Sequence, residues 1–172
     1  MKTKPEIATT IATEPLTTRV ALHPFLAGMN RTQLALLADC AMAAHFETGQ
    51  TILREGEFAN RCYLVETGKV VLESGGSVGE PLVIETIGAG DLLGWSWMFP
   101  PYVWQFTARA VEPASAIFFY GAMLREYCEK DHSFGFELLK RISAVMVKRL
   151  QAAQKQMLSL HADSTFHEPA CL

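Results

Sequence analysis

Three glycine-containing stretches decide the fold of this chain: FETGQTILREGE at residues 46–57, YLVETGKV at 63–70 and IGAGDLLG at 87–94. In each of them a short run of β-branched, aromatic or other apolar residues meets a glycine, which is typical of short strands separated by tight turns. Tight hairpins require a positive φ, and glycine reaches that conformation at the lowest cost. The three stretches therefore predict several short antiparallel strands.

The alternation of short strands and turns continues on both sides of these stretches. It predicts strands at residues 45–48, 51–54, 63–66, 69–74, 82–87, 104–111 and 115–120. Seven or eight short strands at such close spacing favour a β-sandwich or a jelly roll, here a roll of about 45–120.

Helical patterns flank the strand region. Asn30 followed by Gln33 has the form of a helix N-cap with a reciprocal partner, so we expect an apolar helix over residues 33–44. Residues 134–160 contain no proline and only one glycine, which predicts a long C-terminal helix. We expect a flexible, threonine-rich arm at 1–20, one domain over 21–160, and a tail at 161–172.

Apolar residues recur at heptad-like spacing along the predicted long helix. One interpretation is that this face only packs on the roll, and the other is self-association. We favour a homodimer, because the pattern continues beyond what one face of a small roll could cover. The residues we assign to the dimer helix are Met146, Leu150, Ala153 and Met157.

The composition narrows the classes of function. The chain has 172 residues, of which 49% are hydrophobic and 19% charged, which suits one folded domain with a real core. Its net charge of −3 gives no general attraction to nucleic acid or anionic lipid. The four cysteines, at 40, 62, 128 and 171, show no C-x-x-C spacing. They are typical of reduced thiols, so we expect a cytoplasmic protein without disulfides or zinc.

Membrane and targeting signals are also missing from the sequence pattern. The N-terminal residues contain no apolar run of signal-peptide length. Residues 92–108 carry no formal charge, but they include a glycine and two prolines and fall short of the length that a spanning helix needs. We therefore expect no membrane association.

The order of a helix, an eight-stranded roll and a long C-terminal helix resembles the cyclic nucleotide-binding domain of Crp/Fnr-type regulators and cyclic-AMP-dependent kinases. The three stretches quoted above carry the resemblance, because their glycines stand where that family places turn glycines: Gly49, Gly56, Gly68, Gly90 and Gly94. The resemblance covers about residues 20–160. It implies a mainly β double-stranded β-helix (jelly roll) with flanking helices, acting as a regulatory or sensory ligand-binding module and not as an enzyme.

The resemblance also implies a phosphate-binding cassette at residues 94–110, GWSWMFPPYVWQFTARA. In the family, a Gly-Glu pair holds the ribose 2′-OH and a later arginine neutralises the cyclic phosphate. Here Gly94 is present, but Trp95 replaces the glutamate, and Trp104 and Gln105 replace the arginine and its neighbour. Arg109 matches a later strand position on the outer face. We therefore expect the cassette to be degenerate and the ligand to be something other than cyclic AMP.

All three tryptophans of the chain fall in this cassette, together with several other aromatic residues. They would line a pocket for a flat, apolar or weakly acidic effector, or they would fill the interior of the roll and close it. A residual cyclic-nucleotide site built on backbone N–H groups is a third possibility. The candidate pocket residues are Gly94, Trp95, Ser96, Trp97, Trp104 and Gln105.

Other chemistry finds little support in the sequence. Gly94-Trp95-Ser96-Trp97-Met98 imitates the start of a hydrolase nucleophile elbow, but Met98 stands where the motif needs a small residue. The histidines lack metal-binding spacing. We predict no catalytic residues, no metal and no cofactor.

The sequence says less about binding partners than about the fold. Only twelve residues follow Leu160, too few for the helix-turn-helix of Crp/Fnr transcription factors, so we expect no direct DNA binding. We expect a homodimer with a small-molecule effector and a protein partner that the sequence does not identify. Two alternatives are a non-ligand-binding structural or interaction protein, and a truncated Crp/Fnr relative that modulates a transcription factor.

Overall fold

The computed structural model describes residues 14–75 and 81–165. Four α-helices and eight strands lie in this part of the chain. The helices are α1 (Leu16–Leu22), α2 (Arg31–Cys40), α3 (Gly121–Lys130) and α4 (His132–Thr165), with a short 3₁₀ turn at Pro24–Leu26. The strands are β1 (Met42–Phe46), β2 (Thr51–Leu53), β3 (Arg61–Thr67), β4 (Val70–Ser74), β5 (Leu82–Ile87), β6 (Leu92–Leu93), β7 (Thr107–Ala110) and β8 (Ala114–Tyr120).

The strands form two four-stranded sheets, in the orders β1-β8-β3-β6 and β2-β7-β4-β5. Neighbouring strands pair antiparallel throughout. The predicted jelly roll with flanking helices and a long C-terminal helix is confirmed. The described residues group into two compact units that divide between Glu137 and Leu138, so the second unit holds only the later part of α4.

The two sheets enclose an apolar core, because alternate residues of each strand point to the same side. On β3, Tyr63 and Val65 belong to this core, and Ala114 and Ala116 of β8 join them. The buried residues of the core are Leu53, Ala59, Tyr63, Val65, Val70, Leu72, Ile87, Leu93, Trp104, Ala108, Ala114 and Ala116.

The predicted cap of the first long helix is present, but its end was predicted too late. Asn30 Oδ1 accepts from the Gln33 backbone N–H at 2.9 Å, and Gln33 Oε1 accepts from the Asn30 N–H at 3.1 Å. Helix α2 ends at Cys40, not at residue 44, since β1 already begins at Met42. Pairing of Ala43 and Ala44 with β8 stabilises an extended conformation in residues of high helix propensity.

Two other strand predictions need correction. The two-residue strand β6 is too short to leave a periodic signal in the sequence, and it was missed. The strand predicted over 104–111 is limited to Thr107–Ala110. The backbone of Trp104 instead bonds to the loop after β2, since its N–H donates to Glu57 O and its carbonyl accepts from Gly56 N–H, both at 2.9 Å.

Structure begins earlier in the chain than the predicted arm allows. Residues 1–13 lie outside the described residues, but Leu16–Leu22 form helix α1 within the range predicted to be flexible. Val20 of this helix is fully buried, and Arg19 forms an ion pair of 2.5 Å with Glu66 on β3. The correction has a tertiary cause, because a contact 47 residues away holds the helix.

The long C-terminal helix exceeds its predicted bounds at both ends. Asp131 Oδ1 accepts from the backbone N–H groups of Ser133 and Phe134, at 3.0 and 3.1 Å, and so caps the first turn. The helix continues to Thr165, into the range predicted as a tail. Within residues 14–75 and 81–165, none of the helices combines the length and the apolar character that a bilayer crossing requires.

Candidate functional site

The segment between β6 and β7 contains all of the pocket residues predicted from the sequence. Backbone hydrogen bonds to the loop after β2 hold its second half. Besides the two bonds of Trp104, Tyr102 O accepts from Ala59 N–H at 2.7 Å, and Val103 forms an isolated bridge with Phe58. These bonds fix the direction in which the Trp104 side chain leaves the backbone.

Trp104 points into the roll and forms part of its core. Its side chain is 5% exposed and packs in the cluster that includes Tyr63 and Leu93. The ring lies directly against the backbone of Gly94, where a Cβ would come within 2.8 Å of Trp104 Cζ3. Gly94 also has φ +80°, so both its conformation and the close approach of the indole require glycine. The structure thus brings together two of the predicted site residues.

The other predicted site residues take different positions. Trp95 and Ser96 are half-buried, and Trp97 is fully buried. Trp97 packs on the first residue of α3, since a Cβ on Gly121 would lie 2.7 Å from Trp97 Cβ. Gln105 is exposed, and its amide donates to Val103 O at 3.3 Å. The six residues therefore all lie between β6 and β7, with Trp104 toward the core of the roll and Trp97 toward α3.

Arg109 lies on the outer face of β7, as expected, because it alternates with the buried Ala108 and Ala110. Its Nη2 and Nε atoms donate to Glu73 Oε1 at 2.7 and 3.0 Å. Its Nη1 also donates to Thr51 Oγ1 at 3.3 Å. Arg109 is therefore engaged across the outer face of its sheet, away from the core.

Sequence reasoning missed an arginine on the inner face of the other sheet. Arg61 is the first residue of β3, and period-two alternation places it on the same face as Tyr63 and Val65. Its guanidinium carbon lies 5.3 Å from the ring centroid of Phe118 and 5.4 Å from that of Tyr120. The backbone carbonyl of Arg61 is 3.5 Å from the Cβ position of Gly94. Knowledge of the strand pairing would have identified Arg61 as an inner-face residue, but a single sequence does not reveal which strands pair.

A second missed feature is a pocket of about 280 Å³ between α1 and the far end of β3. Arg19, His23 and Glu66 line it, together with mainly apolar atoms. The ring of His23 is buried, with Nε2 at 3.0 Å from Val65 O and Nδ1 accepting from Phe25 N–H at 3.2 Å. Burial lowers the pKa of His23 despite the hydrogen bond to Val65.

The described residues were also compared with the requirements of metal binding and of thiol chemistry. In the parts of the chain that the structure describes, no group of three or more His, Cys, Asp or Glu side chains is placed to hold a metal ion. Cys40, Cys62 and Cys128 are free thiols, and Cys171 lies outside the described residues. Burial raises the pKa of Cys40 to about 11 and also raises that of Cys62. Both thiols are therefore protonated and unreactive at neutral pH.

Comparison with known protein families identifies the class of the protein. The family model described as "Cyclic nucleotide-binding domain" matches residues 43–131, more than half of the chain. These residues include seven of the eight strands completely, part of β1 and all of α3. The chain belongs to the cyclic nucleotide-binding domain family. No curated protein matches the sequence.

Solved structures agree with this assignment. A protein from Geobacter metallireducens GS-15, described as a cyclic nucleotide-binding protein, has 27% identity and a TM-score of 0.70, over 78% of this chain and 97% of that one. A cyclic nucleotide-binding domain from Methylobacillus flagellatus KT shares 15% identity at a TM-score of 0.71, over 88% and 84% of the two chains. The regulatory subunit of a cAMP-independent protein kinase A from Trypanosoma brucei shares 20% identity at a TM-score of 0.65, over 88% and 53%. The fold is thus that of cyclic nucleotide-binding domains.

Proposed function

We propose that this chain is a regulatory ligand-binding module with a degenerate phosphate-binding cassette, and that its effector is not cyclic AMP. The observation that carries the proposal is the position of Trp104. The resemblance places the phosphate-binding arginine of the family at this residue, and here an indole, 5% exposed, packs against Gly94 instead. An indole offers one N–H donor and an apolar face, in place of a cationic fork.

The loss of the arginine has a predictable effect on affinity. A charge-assisted hydrogen bond to a phosphate is worth about 2–4 kcal/mol in such a site, which corresponds to roughly 30- to 1,000-fold in affinity. Trp95 at the position of the ribose-binding glutamate removes a further contact. On the long helix, Ala153 and Gln154 stand about where family members that bind cyclic AMP have small hydroxyl residues. Three separate contacts to the nucleotide are therefore weakened.

The fold itself is compatible with an effector other than cyclic AMP. The related kinase regulatory subunit from Trypanosoma brucei belongs to a kinase that is described as cAMP-independent. In this chain the cassette is in direct contact with α3, because Trp97 packs against Gly121. Binding that moves the cassette would therefore change the start of α3.

We further propose that the protein is a homodimer, formed by the apolar face of α4. Leu150 and Met157 are 58% and 63% exposed, and Met146 and Ala153 of the same face are exposed as well. Intervals of four, three and four residues place these side chains on one stripe, which is self-complementary in a two-fold helix pair. The occupant we assign to this face is a second copy of the chain.

A second candidate function has its own supporting observation. Trp104 lies in the core cluster and Trp97 is fully buried, which is what a closed, non-ligand-binding scaffold would show. In that case the domain would act through its surface, as an interaction protein or as a relative that modulates a full-length transcription factor. Binding of any effector inside the roll would exclude this alternative.

We place the protein in the cytoplasm. The support is that Cys40 and Cys62 are both buried as free thiols, a state that a reducing compartment maintains. Oxidised cysteines in protein isolated from its own cells would contradict this assignment.

Calorimetry with cyclic AMP and cyclic GMP tests the degenerate cassette. We expect no dissociation constant below about 100 μM for either nucleotide, because the arginine and glutamate contacts are both replaced. A sub-micromolar constant for the unmodified protein would overturn the proposal.

Sedimentation tests the dimer. The wild-type protein should sediment as a dimer at tens of micromolar, and Leu150→Glu should sediment as a monomer, because two carboxylates would meet in an apolar interface. Gln151→Glu adds the same charge at the neighbouring exposed position and should remain dimeric. A wild-type monomer at this concentration, or a dimer that survives Leu150→Glu, would contradict the assignment.

A further inference from the structure

Arg61 is the one inner-face residue of β3 that carries a charge. Its Cα pairs with that of Tyr120 on β8, and the next inner pair is Tyr63 with Phe118. Tyr63 is 3% exposed and lies in the core cluster, so this face of β3 is the interior of the roll. A guanidinium on an interior face needs a reason, because burying a charge without an opposite charge is costly.

The neighbours of Arg61 in the structure are neutral. They are the ring faces of Phe118 and Tyr120 and the phenol groups of Tyr63 and Tyr120, and hydrogen bonding to the two phenols raises the pKa of Arg61. Its Nε atom is buried and has no hydrogen-bond partner within the described residues. By contrast, the guanidinium groups of Arg19 and Arg109 are both bonded to carboxylates. Among these three arginines, Arg61 alone has no acidic partner in the described part of the chain.

Several side chains around Arg61 are partly exposed to solvent. Tyr120 is 37% exposed, and Met42, whose Cα pairs with that of Phe118, is 43% exposed. Phe118 and Arg61 themselves are half-buried. These residues lie on the same face as Tyr63, which is shielded completely. A small molecule bound here would therefore meet the partly exposed side of the Arg61 side chain and the aromatic side chains beside it.

We infer that Arg61 is the anion anchor of an effector site in the roll, and that its ligand is a planar aromatic carboxylic acid. The inference deepens the proposed function, on which it rests, by naming the ligand class. A carboxylate fits a guanidinium, since two parallel N–H groups match its two oxygens. The ligand's aromatic ring would pack on Phe118 and Tyr120, and one anchoring cation suits one negative charge.

A titration with indole-3-acetate and its neutral amide, indole-3-acetamide, tests this inference on the full chain. Binding is followed by chemical-shift changes of backbone amides in a uniformly ¹⁵N-labelled sample. For a probe of this size we expect a dissociation constant of about 1 mM or tighter for the acid. The amide should bind at least about tenfold more weakly, because it lacks the charge-assisted contact.

Variants assign the effect to Arg61. Arg61→Gln should remove the advantage of the acid over the amide, while Arg54→Gln, at an exposed arginine, should retain it in full. Arg61→Lys keeps the charge but loses the paired N–H groups, and should retain part of the advantage. If Arg61→Gln does not fold, the acid–amide ratio of the wild type and of Arg61→Lys still decides the question.

The outcomes separate this inference from the proposed function. Three outcomes overturn the inference but leave the degenerate cassette untouched. They are equal binding of acid and amide, no binding of either at a probe concentration of about 10 times the expected dissociation constant, and an acid preference that survives Arg61→Gln. A third titration, with cyclic AMP, addresses the cassette. Sub-micromolar binding of cyclic AMP overturns the proposed function, and if it also survives Arg61→Gln it overturns the inference as well.

Discussion

An arginine lies at each end of β3, and the two differ in their partners. At the end near α1, Arg19 and Glu66 are each 4% exposed at the side chain and form a direct ion pair. At the other end, Arg61 lies over two aromatic rings with a buried Nε that has no protein partner in the described residues. The first arginine is paired with a carboxylate, and the second has no acidic partner among the described residues.

This difference distinguishes an arginine that pairs with a carboxylate of β3 from an arginine of β3 that has no acidic partner among the described residues. A buried ion pair with both partners present fixes α1 on the sheet. Because each charge is already neutralised by the other, neither is available to bind a ligand. A half-buried guanidinium among neutral groups retains its capacity to bind an anion, at some cost in stability. The predictions below test each end in turn, from the largest expected change in stability to the smallest.

Trp104→Ala tests the buried wall next to the Arg61 end. Removal of an indole that is 5% exposed should leave a cavity and lower the free energy of unfolding by about 4 kcal/mol. The melting temperature should then fall by roughly 10 °C for a chain of this size. Gln105→Ala, at the exposed neighbouring position, should melt like the wild type. If Trp104→Ala also melts like the wild type, Trp104 lines an open pocket and is not part of the core.

Arg19→Met tests the ion pair at the end of β3 near α1. Methionine retains much of the apolar stem but leaves the Glu66 carboxylate buried without its cation, so we expect a loss of about 3 kcal/mol in chemical denaturation. Lys69→Met breaks the Lys69–Glu112 pair, whose side chains are 51% and 45% exposed, and should change stability by less than about 1 kcal/mol. Equal effects of the two substitutions would remove the distinction between a buried and a solvated pair.

His23 gives the end of β3 near α1 a pH dependence. Burial lowers its pKa, while Glu66 and Asp91 act in the opposite direction, so the folded state holds the ring neutral where the unfolded chain binds a proton. Its contribution to stability is therefore present above about pH 6.5 and declines as the pH falls toward the folded-state pKa. The slope from this one group is at most about 1.4 kcal/mol per pH unit.

The measurement is the free energy of unfolding between pH 7.5 and 5 for the wild type, His23→Gln and His45→Gln. His23→Gln should reduce the slope with pH, and His45→Gln, at an exposed position of β1, should leave it unchanged. An identical slope in all three proteins would show that other groups control the acid sensitivity of the fold.

The sequence was sufficient wherever a feature is local. The capping box depends on only two residues, Asn30 and Gln33, and is present as predicted. The predicted turn glycines, such as Gly68 and Gly94, all have positive φ, because a tight turn selects glycine whatever surrounds it. The same local signals carried the resemblance to the family, which the fold confirms.

Features that depend on distant partners were not predictable in the same way. Helix α1 lies in a threonine-rich stretch of low helix propensity, and the contact of Arg19 with Glu66 stabilises it from another element. Trp104 was assigned to a strand by its residue type, whereas its backbone bonds to Gly56 and Glu57. Arg61 became a site candidate only when strand pairing placed it opposite Tyr120.

The confinement of all three tryptophans to residues 95–104 gives the protein a built-in optical probe. Trp97 and Trp104 are shielded from water and Trp95 is half-buried, so the emission spectrum of the unlabelled chain reports on this segment alone. Because Trp97 packs on Gly121, the same signal extends to the first turn of α3. Stopped-flow measurements can therefore time a rearrangement of the segment between β6 and β7 without a dye, a tag or a substitution.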